Sequence, residues 1–127
     1  MPTAIVFTAE KLALKGTLDD SETAQTLAAR LPLTVRMSRW GDEYYGNIGP
    51  ALGVREAADA RSDMQVGELA YWIPGNAVCL FFGPTPASSG PQPRAASAVN
   101  PVGRLDGPFA ELKALGDRIQ ATVKRAD

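Results

Sequence analysis

The sequence predicts a mainly β protein, a closed antiparallel β-barrel carrying two short helices, in one domain over residues 1–127. Three observations predict it. Residues 69–73 and 77–82 are apolar, aromatic and β-branched runs on either side of Pro74-Gly75-Asn76, which supplies the fixed φ and the tolerance of positive φ that a reversal needs. The second run is apolar on both faces, as in a strand that closes a barrel or lies under a covering helix. Seven or eight short strand-like segments but only two short helical patterns fit into the 127 residues. A β-sandwich is the structural alternative.

Residues 3–8 and 11–17 carry strand-like residues around Ala9-Glu10, predicting a first hairpin. Asp19-Asp20-Ser21 are helix-capping residues, and Ala24, Leu27, Ala28 and Leu31 follow at helical spacing until Pro32, so one face of a short helix is buried there. Residues 33–39 then alternate, with Leu33, Val35 and Met37 on one face and Thr34, Arg36 and Ser38 on the other. Residues 40–46 hold the aromatic cluster Trp40, Tyr44 and Tyr45, and residues 49–65 form a long Ala- and charge-rich connection without a clear period.

After the central hairpin, residues 83–101 contain five of the ten prolines and predict a semi-rigid surface loop without regular pairing. Asp106-Gly107-Pro108 opens a second short helix with Phe109, Leu112 and Leu115 as its buried stripe and Gly116 as its stop. Ile119, Ala121 and Val123 alternate with Arg118, Gln120, Thr122 and Lys124, a last strand with one wet face.

Composition narrows function mainly by exclusion. A net charge of −1, spread evenly along the chain, offers no field for nucleic acid or an anionic membrane. The N-terminus has no signal-peptide pattern and no run reaches the ~20 apolar residues of a membrane span, so a cytoplasmic protein is expected. Without histidine there is no His-based metal site and no Ser-His or Cys-His catalytic pair, and the single cysteine, Cys79, forms no internal disulfide. Cys79 sits in an apolar strand and is read as a small hydrophobe. No phosphate loop is present, and neither a metal nor a cofactor is expected.

Four motifs carry a resemblance: residues 40–45 (Trp-Gly-Asp-Glu-Tyr-Tyr), Val66-Gly67-Glu68 with Tyr71-Trp72-Ile73-Pro74-Gly75, residues 79–83 (Cys-Leu-Phe-Phe-Gly) with Thr85-Pro86, and residues 97–105 (Ser-Ala-Val-Asn-Pro-Val-Gly-Arg-Leu). In order and spacing, over nearly the whole chain, these motifs resemble the small prokaryotic cyclophilin-like domains. The resemblance implies a cyclophilin-like β-barrel. True cyclophilins are peptidyl-prolyl isomerases, but function belongs to sites and not to folds.

An isomerase must lower an amide barrier of ~18–20 kcal/mol with a donor that stabilises the twisted bond and a pocket for the proline ring. The cyclophilin segment of Arg followed by Phe-Met-x-Gln is absent here, and so is the pocket histidine. Arg36 and Arg94 are the positional replacements, and solvation is the default state of each. Among the aromatic residues Trp40, Tyr44, Tyr45, Tyr71, Trp72, Phe81 and Phe82, strand alternation turns about half inward; Tyr45, Tyr71 and Phe82 are the candidate pocket residues.

Glu43 is a candidate acid/base group or, preferentially, the ion-pair partner of an arginine such as Arg104. Ser88, Asn100 and Arg104 are further candidate ligand contacts around the 83–101 loop, and Ser88-Ser89-Gly90 is a candidate anion nest read first as ordinary loop chemistry. The expected function is binding of a small molecule or short peptide without catalysis. A divergent prolyl isomerase is the alternative, and a structural subunit of a larger assembly, as a homo-oligomer or with another protein, is the third reading.

Overall fold

A computed structural model describes residues 1–126. Nine strands form: β1 (Thr3–Ala9), β2 (Leu12–Leu18), β3 (Leu33–Arg39), β4 (Glu43–Asn47), β5 (Arg61–Asp63), β6 (Glu68–Trp72), β7 (Ala77–Phe81), β8 (Arg94–Leu105) and β9 (Arg118–Arg125), with helices α1 (Glu22–Ala28) and α2 (Ala110–Lys113). The hydrogen-bonded order is β2-β1-β9-β3-β4-β7-β6-β8-β5, and a further pairing of β2 with β8 closes eight of the strands into a ring. Every pairing is antiparallel. This is the closed arrangement that abolishes sheet edges. No helix among the described residues is long and apolar enough to cross a membrane.

Period-two alternation fills the interior. Ile5 and Phe7 of β1, Leu14 and Leu18 of β2, Val35 and Met37 of β3, Tyr44 of β4, Val78 and Leu80 of β7, and Ile119 and Ala121 of β9 belong to one buried cluster. Both helices pack against this core. Ser21 accepts the Ala24 amide at 3.2 Å and caps α1, whose Ala24, Leu27 and Ala28 reach the core. Leu112 of α2 is fully buried, with Phe109 and Leu115 packed beside it.

Arg39 fastens the end of α2 to the barrel. Its guanidinium donates to the carbonyls of Lys113 and Leu115 at 2.8 and 3.0 Å and to Asp42 Oδ1 at 2.8 Å, over the faces of Tyr44 and Phe82. The Tyr44 hydroxyl donates to the Gly116 carbonyl at 2.6 Å, and its ring stacks on Phe82 with centroids 5.5 Å apart.

The expected unpaired loop over 83–101 is corrected here: residues 94–105 are a twelve-residue strand. Proline is compatible with it because β8 changes partners. Its first half pairs with β5, its second half with β6 and β2, and the register with β6 shifts at the Pro101 step, where no ladder donor is needed. The connection over 49–65 likewise contains a strand, β5, for which three residues gave no periodic signal.

The first half of β8 and β5 fold over the outside of β6 and β7 as a flap. Beneath it lies a second, smaller core of Met64, Ala70, Cys79, Phe81, Ala95 and Val99. This explains why all five residues of β7 are buried: Val78 and Leu80 face the barrel, Cys79 and Phe81 the flap. A strand-built flap, not a helix, is the covering element.

Asn100 ties this arrangement together. Its side chain donates to Thr23 Oγ1 of α1 at 3.0 Å and to the Arg55 carbonyl at 2.8 Å, and accepts the Ala57 amide at 2.8 Å. Asn100→Ala would leave an amide and a carbonyl of the 55–57 segment without their partners, and is expected to cost about 2 kcal/mol. Hydrogen exchange should then quicken at Ala57 before the barrel strands, and unchanged protection there would contradict the assignment.

Candidate functional site

A tight turn from β3 into β4 sets the first half of the site. The Trp40 amide donates to the Glu43 carbonyl at 2.8 Å and the Glu43 amide to the Trp40 carbonyl at 3.2 Å, so both residues are fixed by backbone. Alternation along β4 then sends Tyr44 into the barrel and Glu43 and Tyr45 to its outer face. Tyr45 stands opposite Cys79 of β7, and Cys79 opposite Ala70 of β6. Trp72, at the end of β6, completes the row; its indole N–H donates to Ser97 Oγ of the flap at 2.7 Å. Gly75 lets that ring lie flat against the hairpin turn, since a Cβ there would stand 2.5 Å from it.

These residues enclose a pocket of about 270 Å³ between the barrel wall and the flap. Trp40, Tyr45 and Trp72 are its aromatic walls, Glu43 and Cys79 lie along the barrel side, and Ala95, Ala96 and Val99 belong to the flap. The surface is almost wholly apolar, and Glu43 is the one acidic residue of the lining.

That carboxyl is the chemical centre of the site. Glu43 is 5% exposed, and its Oε1 has no hydrogen-bond partner among the described residues. Burial raises its pKa from the ordinary carboxylate range to about 7, opposed in part by the neighbouring Cys79 thiol. The thiol itself is pushed well up, by its own burial first and by the Glu43 charge second, so Cys79 is held as a neutral thiol and not a nucleophile. The arrangement can bind, and it can exchange a proton near neutrality.

Of the residues anticipated from sequence, Glu43 and Tyr45 meet in this pocket. Tyr71 and Phe82 do not: both face the barrel interior, where the Tyr71 hydroxyl donates to Asn76 Oδ1 and Phe82 stacks on Tyr44. The anticipated Glu43–Arg104 ion pair does not form. Arg104 is exposed opposite Glu68, whose buried carboxylate takes the Arg61 fork at 3.0 and 2.6 Å instead.

Asn100 is the structural clamp already described. Ser88 closes its own turn, its hydroxyl donating to the Gln92 carbonyl at 2.7 Å and accepting the Thr85 amide at 2.9 Å while its own amide donates to the Thr85 carbonyl at 2.9 Å. Arg36 is exposed on the outer face of β3, beside Glu10 and Arg118, and Arg94 is exposed and paired with Asp63 at 2.9 Å. Neither arginine is among the residues that line the pocket.

Sequence reasoning named Trp40 and Trp72 as aromatic residues without assigning them to a pocket, and set Cys79 aside. The signal available was parity: Glu43, Tyr45, Cys79 and Phe81 occupy alternate positions opposite to the core set. An acid among them with no basic partner marks an unusual face.

An eight-stranded antiparallel ring with two short helices among the described residues defines a closed β-barrel. The family model described as cyclophilin-like matches residues 3–124, and the chain belongs to that family. The solution structure of a hypothetical protein from Archaeoglobus fulgidus is similar, with 35% identity and a TM-score of 0.78, over 98% of this chain and 95% of that one. No functionally curated protein matches the sequence.

Proposed function

We propose that this cyclophilin-like domain binds a small molecule, or a side chain of a short peptide, in the pocket under the flap and does not transform it. The observation that carries this reading is the Glu43 carboxyl, buried in an apolar pocket with an oxygen that the protein leaves unpartnered. Buried polar groups are ordinarily satisfied, and one left without a partner beside a cavity calls for a donor that the described residues do not supply.

Catalysis is not part of the reading. The Cys79 thiol is held neutral, and the arginines proposed for prolyl isomerisation are not in the lining. Proline exchange measured by NMR on an Ala-Pro-Phe peptide is expected to be unaffected by the protein. Acceleration lost in Arg36→Ala or Arg94→Ala would instead establish an isomerase. A thermal-shift screen of small apolar compounds is expected to yield ligands that quench Trp40 and Trp72 fluorescence, and failure of every compound class would count against the pocket.

A further inference from the structure

Two buried carboxylates on neighbouring strands are treated in opposite ways. Glu68 receives the Arg61 guanidinium on both oxygens and the Gln65 amide at 2.7 Å, so its charge is fully compensated within the chain. Glu43, buried as deeply, receives no cation at all among the described residues. Its ladder partner on β7 is the buried Phe81, and the residues that line the pocket with it are the neutral Cys79 of β7, Tyr45 of its own strand, Trp72 of β6, Trp40 of the turn, and the uncharged Ala95, Ala96 and Val99 of the flap. An isolated carboxylate in such surroundings is the costliest group a protein can bury, and the missing element is a positive charge.

The walls suit the same missing element. Three aromatic side chains surround a space with one acid, and the negative faces of such rings attract cations, most strongly where water is excluded. Anions find no basic side chain in the lining, and polyols find little to bond beyond the carboxyl. The unpartnered Oε1 adds a further selection, because an acceptor without a donor is satisfied by an N–H-bearing cation and not by a quaternary one.

We propose that the pocket selects a small primary ammonium compound with an apolar body, its charged head against the Glu43 carboxylate and its body between Trp40, Tyr45 and Trp72. This rests on the reading of the pocket as a binding site and names the class of ligand it takes. No covalent step is involved. Binding fixes the ionised form of Glu43, so each bound cation displaces the proton that an empty site partly holds near neutrality.

The test is calorimetric titration with benzylammonium, benzyl alcohol and benzyltrimethylammonium, above and below neutral pH. Benzylammonium is expected to bind about tenfold more tightly than either analogue. Its affinity should rise as pH passes through about 7, with proton release that depends on buffer ionisation. Glu43→Gln should abolish both the preference and the pH dependence while retaining weak binding of all three. Tyr45→Leu, at a half-exposed position where folding is not at risk, should weaken the ammonium several-fold and the alcohol little.

Equal binding of benzylammonium and benzyl alcohol, unchanged in Glu43→Gln, would overturn the ammonium assignment and leave the pocket as a neutral-ligand site. Equal binding of the quaternary compound would overturn the N–H requirement. No binding of any of the three, with unperturbed tryptophan fluorescence, would overturn the pocket itself.

Discussion

Glu43→Gln is expected to stabilise the protein above neutral pH by about 3 kcal/mol and to change nothing in acid. The carboxyl titrates at about 7 in the folded chain against an ordinary value of 4.5, so the folded state holds a proton between those values that the unfolded state has released. Stability from this group is therefore complete below 4.5, falls as pH rises toward 7, and stays low beyond it. A displacement of that size corresponds to about 3 kcal/mol at ~1.4 kcal/mol per unit.

Glutamine has the shape of the protonated acid and cannot ionise, so the variant escapes the loss. Urea unfolding of both proteins across this range should give curves that coincide in acid and separate as Glu43 ionises, with the variant's midpoint the higher in base. Parallel curves would mean that the carboxyl is solvated and that the pocket lacks the electrostatic character proposed for it. An acid kept at an apolar site at a cost in stability is the pattern that functional sites commonly show.

The barrel was legible in the sequence because its strands alternate at period two and its helices carry capping residues. Leu33, Val35 and Met37, and later Ile119, Ala121 and Val123, read directly as inward rows, and Ser21 as the cap of α1. The flap was not legible, since the local chemistry of Gly83 to Pro101 is that of a loop and its strand exists through long-range pairing. Residues 94 and 99 meet β5 across more than thirty positions, a partnership no local pattern encodes.

The site followed the flap. Glu43 and Tyr45 could be placed on one face of β4 by parity, but their meeting with Trp72 and Cys79 depends on the β4–β7–β6 register, and the enclosed space depends on β8 lying above them. The same gap explains the Arg104 expectation. A lone acid in sequence invites an arginine, yet the chain gave its arginine fork to Glu68, leaving Glu43 open.

Gly103→Ala is expected to destabilise the barrel by about 3 kcal/mol or more, the scale at which overpacking against backbone becomes diagnostic. Gly103 lies where β8 is flanked by both neighbours at once, opposite Leu18 of β2 and Leu69 of β6, and this is the seam that closes the ring. A methyl group there would stand 2.1 Å from the Thr17 carbonyl oxygen and 2.9 Å from the Leu18 Cα. Both obstacles are main chain, so no rotamer change relieves them, and the strands must separate.

The informative comparison is Gly90→Ala, where a methyl group meets nothing within 4 Å and the effect should stay within about 0.5 kcal/mol. Equal urea midpoints for the two variants would mean that β2 and β8 are further apart than a closed ring requires. If the seam does open, the consequence reaches the pocket, because the strand that closes the barrel through Gly103 is the one that builds the flap through Ala95 and Val99. Ligand affinity should then fall together with stability in Gly103→Ala, whereas in Glu43→Gln affinity for the ammonium falls while stability above neutral pH rises. Opposite signs in the two variants would separate what holds the site together from what the site recognises.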